Sequence, residues 1–408
     1  MLKSIPILSF FCFTSYTFAC IGHLPCQLFL QNSAEEHNLS TLPSWSKLTP
    51  NQQKEIERDI KSGDQAAEAI DAQLKFSEDQ ALIQRVEQLG ARLAKIAQTQ
   101  KVKVLVGDQV VNPFPYTFKV VKGEDVNAFS LAGGRIYVYE GLAKFAENDD
   151  ELAAVLAHEI SHVASRHVHH MIKKQQKINL LTIPAIIAGA LTGNPMIAGL
   201  AQAGSLVGQA MVSNWSQDME MSADYGGLQY LIKSPYNPLA MFTFQERLVY
   251  RNRFNPEMDW GIYQTHPPSI ERAKSTYQRL TEAKIPIARS SLSPILRVNA
   301  KKISPSHIEL TFLDQTIHIF GGLNAEKRAN LAAEKINLFL DQSPKLYDVQ
   351  LVENCILKGK NEILFEVTSD DANIQQKSVF DMVQDTLKGI KAAVYNLNFH
   401  IIDVSSYL

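Results

Sequence analysis

Three side chains that could perform hydrolysis lie close together near the middle of this 408-residue chain. His158, Glu159 and His162 make the pattern His-Glu-x-x-His. Histidines four positions apart project from the same face of an α-helix, so two imidazoles can bind one metal ion there. The glutamate beside them can take a proton from a water molecule. The pattern therefore predicts a catalytic zinc site in which Glu159 is the general base.

A hydrolytic zinc site needs a third protein ligand and an open position for water. The pattern HExxHxxGxxH, which adds a third histidine, is excluded because Ser165 and Val168 occupy its two diagnostic positions. The alternative Glu-x-x-x-Asp pattern of the gluzincins occurs as Glu220 and Asp224. We therefore predict that Glu220 is the third zinc ligand. Asp224, one helical turn later, is predicted to accept the free ring N–H of His158 and fix its orientation.

The acidic pair has a plainer interpretation, since carboxylates at this spacing often lie on a solvated helix face. Apolar neighbours such as Met219 and Leu228 argue against it, because unpaired carboxylates on a buried helix are costly. A structural zinc site is a second alternative, but it normally completes four ligands with further Cys or His at fixed spacing, which the sequence does not offer. We therefore expect one zinc ion per chain and hydrolysis of peptide bonds.

Regular elements must hold these side chains in place. Asn148, followed by Glu151, is a helix-capping pattern, and it predicts a long helix from there to about Lys174. Amphipathic periodicity predicts two earlier helices at 51–73 and 79–97. Alternating apolar residues predict strands at 102–106, 116–120 and 135–139.

The pattern changes after Pro286, where strands and helices begin to alternate. Strands are predicted at 308–312, 316–320, 347–352 and 362–367, helices at 325–340 and 376–395, and a last strand after residue 395. The predicted fold class is α+β: a mainly helical metalloprotease domain with a small sheet, followed by a C-terminal α+β domain. The predicted segments are a signal peptide at 1–19, a leader at 20–45, the protease domain at 46–285 and the accessory domain at 290–408.

The N-terminus is typical of a secretory signal peptide, with Lys3, an apolar stretch and then Ala19. The stretch is shorter than the roughly 20 apolar residues that span a membrane, so cleavage is expected rather than anchoring. Cys20 directly after Ala19 leaves lipidation open. The predicted location is the periplasm or cell envelope.

A second apolar segment at 178–212 is interrupted by several Gly and Pro residues. It predicts a helical hairpin, buried or on a membrane surface, rather than a membrane-spanning helix. Peripheral attachment to a membrane is compatible with it. A formal net charge of −2, from 40 basic and 42 acidic residues, argues against nucleic acid as a partner.

Together these motifs resemble peptidase family M48, whose members include the BepA-like, HtpX and Oma-type zinc proteases, over roughly residues 50–285. The resemblance rests on several separated motifs besides the zinc-binding patterns: Asn127-Ala128-Phe129, Gly133-Gly134, Gly141-Leu142, Arg166-His167, His266-Pro267 and Arg272. It implies a zinc metalloendopeptidase of the gluzincin type. For exported members it implies proteolysis of unfolded or misassembled envelope proteins.

The resemblance also assigns two further features. It implies that Arg135, Ile136, Tyr137, Val138 and Tyr139 form an edge strand that pairs with extended substrate. It implies that His266 reaches the active site, where it either stabilises the oxyanion, which is the catalytic role we expect, or caps the zinc in a resting state.

Two other functions remain open from the sequence. One is a latent, chaperone-like zinc protein whose protease site is plugged by His266 or by the 178–212 segment. The other is a protease integrated in the membrane through that segment.

Overall fold

A computed structural model describes residues 38–175, 217–254, 262, 266, 268–313 and 315–400. The predicted signal peptide and the predicted hairpin at 178–212 lie outside these residues, so both stay predictions. Within the described ranges, no helix combines the length and the apolar character that crossing a bilayer requires.

Helices and a small sheet alternate up to residue 282: α1 (Pro50–Asp71), α2 (Gln80–Ala97), β1 (Thr117–Val121), β2 (Ala128–Ser130), β3 (Arg135–Tyr139), α3 (Glu140–Phe145), α4 (Asp149–Ala164), α5 (His167–Gln175), α6 (Gln217–Ile232), α7 (Leu239–Phe254) and α8 (Ile270–Glu282). The later elements are β4 (Asn299–Ser304), β5 (His307–Phe312), β6 (Gln315–Gly321), α9 (Ala325–Asp341), β7 (Val349–Val352), β8 (Ile356–Gly359), β9 (Glu362–Glu366), α10 (Ser369–Ile374) and α11 (Val379–His400). In the part of the chain that the structure describes, three separate three-stranded sheets lie among these helices. The α+β prediction is confirmed.

Helix α4, which carries the His-Glu-x-x-His pattern, begins where the sequence predicts. The Asn148 side chain accepts a hydrogen bond of 2.9 Å from the Glu151 N–H, and the acidic first turn suits the positive end of the helix dipole. The helix ends at Ala164, so the prediction of one helix reaching Lys174 is wrong. Arg166 adopts a left-handed backbone conformation with φ 53°, which interrupts the helix before α5 begins.

The first sheet has the order β1-β3-β2. Strand β3 pairs in parallel with β1 and antiparallel with β2. The prediction that Arg135–Tyr139 is an edge strand is therefore wrong, because both of its backbone edges are already paired. Its two faces are buried as well: Tyr137 and Tyr139 pack against α1, whereas Ile136 and Val138 pack toward α2 and α4.

Helix α1 packs closely on the loop 132–134 that leads into β3. A Cβ atom on Gly63 would lie 1.8 Å from the carbonyl oxygen of Ala132, far inside van der Waals contact. We therefore expect Gly63→Ala to lower the free energy of unfolding by about 1–3 kcal/mol, despite the higher helix propensity of alanine. Urea denaturation measures the change. Lys61→Ala, at an exposed position on the same helix, serves as the control, and equal stability of the two variants would contradict this packing.

The residues from 296 onward have a hydrophobic cluster of their own, built from strands β4–β9 with helices α9 and α11. Both sheets here are antiparallel, in the orders β4-β5-β6 and β7-β8-β9. Strands β4 and β8 are additions to the predicted order. The boundary of a separate domain at 290–408 stays a prediction.

Two stretches differ from their predicted structure. Residues 102–106 do not form the predicted strand; the backbone N–H groups of Leu105 and Val106 instead donate to the Ser222 hydroxyl, each at 3.0 Å. A side-chain acceptor thus replaces a strand partner. Helix α11 continues to His400, which excludes the predicted last strand from residues 396–400.

Candidate metal centre

Four buried side chains converge between α4, α6 and the segment before α8. They are His158 and His162 from α4, Glu220 from α6, and His266. Their nearest ring-nitrogen and carboxylate-oxygen atoms all lie within 4.8 Å of one another. Imidazole nitrogen and carboxylate oxygen are common ligands of zinc.

The distances between these atoms match a tetrahedral site. The Nε2 atoms of His158 and His162 are 3.1 Å apart, and they lie 3.4 and 3.2 Å from the two Glu220 carboxylate oxygens. His266 Nδ1 lies 3.2 Å from His158 Nε2 and 3.1 Å from Glu220 Oε1. Ligand atoms about 2.0–2.1 Å from a tetrahedral zinc ion are about 3.3 Å apart. These donors are therefore close enough together to share one such ion.

Two glycines let α6 approach α4 closely enough for Glu220 to reach the histidines. A Cβ atom on Gly226 would lie 2.2 Å from the Ser161 hydroxyl oxygen, and one on Gly227 would lie 3.0 Å from the Ala157 backbone. Any larger residue at either position would push the helices apart. The Gly-Gly pair after the Glu-x-x-x-Asp pattern is thus the sequence signal for this close packing.

Asp224 fixes the orientation of the His158 ring through a hydrogen bond. Its Oδ1 lies 2.9 Å from His158 Nδ1, and Arg272 donates to both of its oxygens at 2.8 Å. Burial by itself raises the pKa of Asp224, but the Arg272 guanidinium outweighs burial and holds the pKa at about 2. The ionised carboxylate accepts the Nδ1–H, so Nε2 is left to face the centre.

Arg272 pairs with both buried carboxylates, a role that the sequence motifs do not reveal. Its Nη1 also lies 2.9 Å from Glu220 Oε2, so one guanidinium neutralises both acidic groups. Two carboxylates buried this deeply require a compensating cation. The Glu-x-x-x-Asp pattern predicts that need, but spacing alone does not say which basic residue meets it.

His162 is oriented by a second histidine. His167 Nδ1 lies 3.0 Å from His162 Nδ1, and its Nε2 lies 3.0 Å from the Val106 carbonyl. Burial lowers the pKa of His167 to about 4, so the ring is neutral at physiological pH. If Nε2–H donates to Val106, Nδ1 accepts from His162, which leaves His162 Nε2 to face the centre. His167 thus contributes a hydrogen bond.

Glu159 lies beside the cluster and is 1% exposed. Its Oε1 is 3.3 Å from His266 Nε2, while its Oε2 has no hydrogen-bond partner among the described residues. A buried carboxylate oxygen without a partner is unfavourable unless it has another use. Accepting a proton from a water molecule at the centre is such a use.

The amino-acid sequence around this centre is similar to those of known metalloproteases. Residues 82–279 match the model of peptidase family M48. These residues belong to peptidase family M48. The resemblance predicted from the separated motifs is confirmed.

Several characterised proteins are similar to the M48 region. The beta-barrel assembly-enhancing protease of Escherichia coli K12 is 30% identical over 243 residues, which is 58% of this chain and 46% of that protein. Metalloprotease LoiP of the same strain is 29% identical, over 54% of this chain and 87% of LoiP. The mitochondrial metalloendopeptidase OMA1 of Schizosaccharomyces pombe is 27% identical, over 45% of this chain and 52% of OMA1. The chain spans about half the length of the beta-barrel assembly-enhancing proteases that it matches.

Among the described residues, β2 has a strand partner on one side only, namely β3. The outer side of β1 is bridged by Phe76, which pairs with Val121. On β2, the bonds toward β3 involve the Asn127 carbonyl and the Leu131 N–H, at 3.0 and 2.8 Å. Because hydrogen bonding alternates along an antiparallel pair, the backbone groups of residues 128 and 130 face away from β3.

Proposed function

We propose that this chain is an exported zinc-dependent metalloendopeptidase that hydrolyses peptide bonds in other proteins. The observation that carries the proposal is the buried group of three imidazole nitrogens and one carboxylate beside Glu159. Membership of residues 82–279 in family M48 supports it.

One zinc ion per chain would be held by His158, His162 and Glu220. A bound zinc ion supplies Lewis acidity, which polarises the scissile carbonyl and acidifies the attacking water. Asp224 and His167 keep the two imidazoles in the required tautomer and orientation.

Glu159 performs the proton transfers. Its Oε2 accepts the proton of the attacking water and then delivers it to the amine that leaves when the peptide bond breaks. Burial keeps bulk water from competing for that oxygen.

Substrate would bind as an added strand on β2. The backbone groups of Ala128 and Ser130 that face away from β3 could pair with an extended peptide. Both residues are buried in this conformation, so the pairing requires the atoms that cover them to move. Such pairing uses main-chain groups alone, so it suits unfolded segments of many sequences. This replaces β3, which is paired on both sides, as the strand that binds substrate.

The described conformation favours a closed resting state, the second candidate function. His266 Nδ1 occupies the fourth corner of the donor set, 3.1 Å from Glu220 Oε1, where water would otherwise bind. Capping of the metal site is therefore better supported than oxyanion stabilisation as the role of His266. A chaperone-like protein with a permanently plugged site is the extreme form of this candidate.

We expect His266→Ala to raise casein cleavage by about 10-fold if the capped conformer outnumbers the open one by about ten to one. The rate of cleavage by zinc-loaded protein is the measurement. His169→Ala, at a partly exposed histidine of α5, is the matched control. A fall of about 10²-fold or more in His266→Ala would instead assign His266 to transition-state stabilisation.

Envelope protein quality control is the proposed setting, with unfolded or misassembled proteins as substrates. The predicted signal peptide at 1–19 supports export, and similarity to the beta-barrel assembly-enhancing protease of Escherichia coli supports a link to beta-barrel assembly. Carbonate extraction of cell envelopes separates a peripheral protein, which is released, from a membrane-integrated protease, which is retained. Zinc content and casein cleavage, measured for the wild type and Glu159→Gln, test the zinc-dependent peptidase activity.

A further inference from the structure

A cavity adjoins the metal centre on the side of Glu159. The centre of a water-sized sphere can occupy about 30 Å³ of it. His158, Glu159 and His266 line it, so a group inside the cavity lies next to the residues proposed to break the peptide bond. The opposite wall is one face of α7.

That wall is apolar with one exception. The apolar residues contributed by α7 are Met241, Phe244, Leu248 and Val249. Gln245 stands among them and is only 6% exposed. Neither its Oε1 nor its Nε2 has a hydrogen-bond partner among the described residues. A buried carboxamide that bonds to nothing destabilises the protein, so its presence at the cavity wall calls for a partner.

The residues next to Gln245 hold α7 in place, so the helix cannot rotate to bring the Gln245 carboxamide to a hydrogen-bond partner. Glu246 is buried and forms a two-pronged ion pair with Arg289, at 2.9 and 3.0 Å. On the other faces, Arg247 lies 3.0 Å from Glu151 and Thr243 donates to Glu151 at 3.2 Å. The helix is therefore fixed, and the Gln245 carboxamide stays at the cavity.

We propose that this cavity binds the side chain of a substrate residue that flanks the scissile bond, and that Gln245 selects side chains ending in a carboxamide. The inference rests on the proposed peptidase function. A carboxamide on the substrate, from glutamine or asparagine, supplies both the donor and the acceptor that Gln245 lacks. An aliphatic side chain leaves Gln245 unsatisfied. An ammonium or carboxylate group would lose hydration against the apolar face of α7, and the charged residues Asp224 and Arg272 that also line the cavity already pair with each other.

Two peptide hydroxamates test the proposal without requiring turnover. They differ only in the side chain next to the hydroxamate, which is glutamine in one and its near-isostere methionine in the other. Zinc-loaded wild type is expected to bind the glutamine compound with a Kd lower by about 10-fold or more, since a pocket built to hydrogen-bond a group discriminates strongly against its absence. Gln245→Met is expected to remove or reverse that preference.

Controls separate selectivity from folding. Gln245→Leu is a second variant, and thermal denaturation should find both variants at least as stable as wild type, because an unsatisfied polar group is removed. Gln73→Met, at an exposed glutamine in the turn after α1, should leave the preference unchanged. Cleavage of a degenerate peptide library then reports which side of the scissile bond the cavity serves.

The outcomes distinguish this inference from the function on which it rests. If wild type and Gln245→Met show the same preference while both cleave casein, the pocket inference is wrong and a bound water satisfies Gln245. If zinc-loaded wild type neither cleaves casein nor binds either hydroxamate, the peptidase function itself fails and the inference falls with it.

Discussion

Glu159→Gln is expected to abolish casein cleavage while the protein still binds one zinc ion per chain. The substitution keeps the size of the side chain but removes its ability to accept a proton. General-base catalysis of this kind contributes about 10²- to 10⁴-fold to the rate. Zinc binding should survive, because the proposed ligands are His158, His162 and Glu220, and no Glu159 atom is needed to complete the tetrahedral set.

The measurement pairs elemental analysis of purified protein with casein cleavage. Glu57→Gln, at an exposed glutamate of α1, is the matched control and should retain both zinc and activity. Cleavage by Glu159→Gln at the wild-type rate would overturn the assigned base. Zinc in both proteins with cleavage by neither would favour the latent, chaperone-like candidate, and absence of zinc from the wild type would overturn the metal site.

Glu220→Gln is expected to weaken zinc binding by at least about 10²-fold and to abolish cleavage. Glu220 is the one anionic member of the donor set, and a neutral amide binds a divalent cation poorly. The change also removes one of the two carboxylates that lie within 3 Å of the Arg272 guanidinium. Competition with a chelator of known zinc affinity measures the change in Kd.

Asp224→Asn is the comparison for this variant. Asp224 supports a ligand without being one, and removal of such a group costs about 10- to 100-fold in metal affinity. We therefore expect Asp224→Asn to bind zinc more tightly than Glu220→Gln. The reverse order would contradict the assignment of the two carboxylates.

His266 can partly compensate for the loss of Glu220 as a zinc ligand. Its Nδ1 already lies within the donor set, so it can replace a lost ligand. The double variant Glu220→Gln with His266→Ala should therefore bind less zinc than Glu220→Gln alone. Equal zinc content in both would indicate that His266 does not approach the metal.

The spacing of residues along the chain was enough to identify His158, His162, Glu220 and Asp224 as candidate residues of the metal site. Residues three or four apart share a helix face, so the metal-binding patterns describe geometry that exists before the chain folds further. The same local rules predicted where α4 begins, at the Asn148 cap. They did not predict its end, because the break at Arg166 depends on partners far away in sequence.

Those partners lie on α1, more than 100 residues earlier. Arg166 donates to Asp59 at 2.6 Å and to Glu55 at 2.8 Å. Ion pairs made by a buried arginine stabilise a backbone conformation that local propensity disfavours. No periodicity within 149–175 contains that information.

By itself, the sequence determined the α+β class, family membership and the nominated metal-binding residues, since all of these follow from short-range patterns. Tertiary structure alone decided that β3 is central and that β2 lies at the edge of the sheet formed by the described residues, because strand order depends on which faces α1, α2 and α4 bury. It also decided that Arg272 neutralises both carboxylates and that His266 closes the donor set. Burial of charge in a small volume requires partners from distant segments, and only the folded chain brings them together.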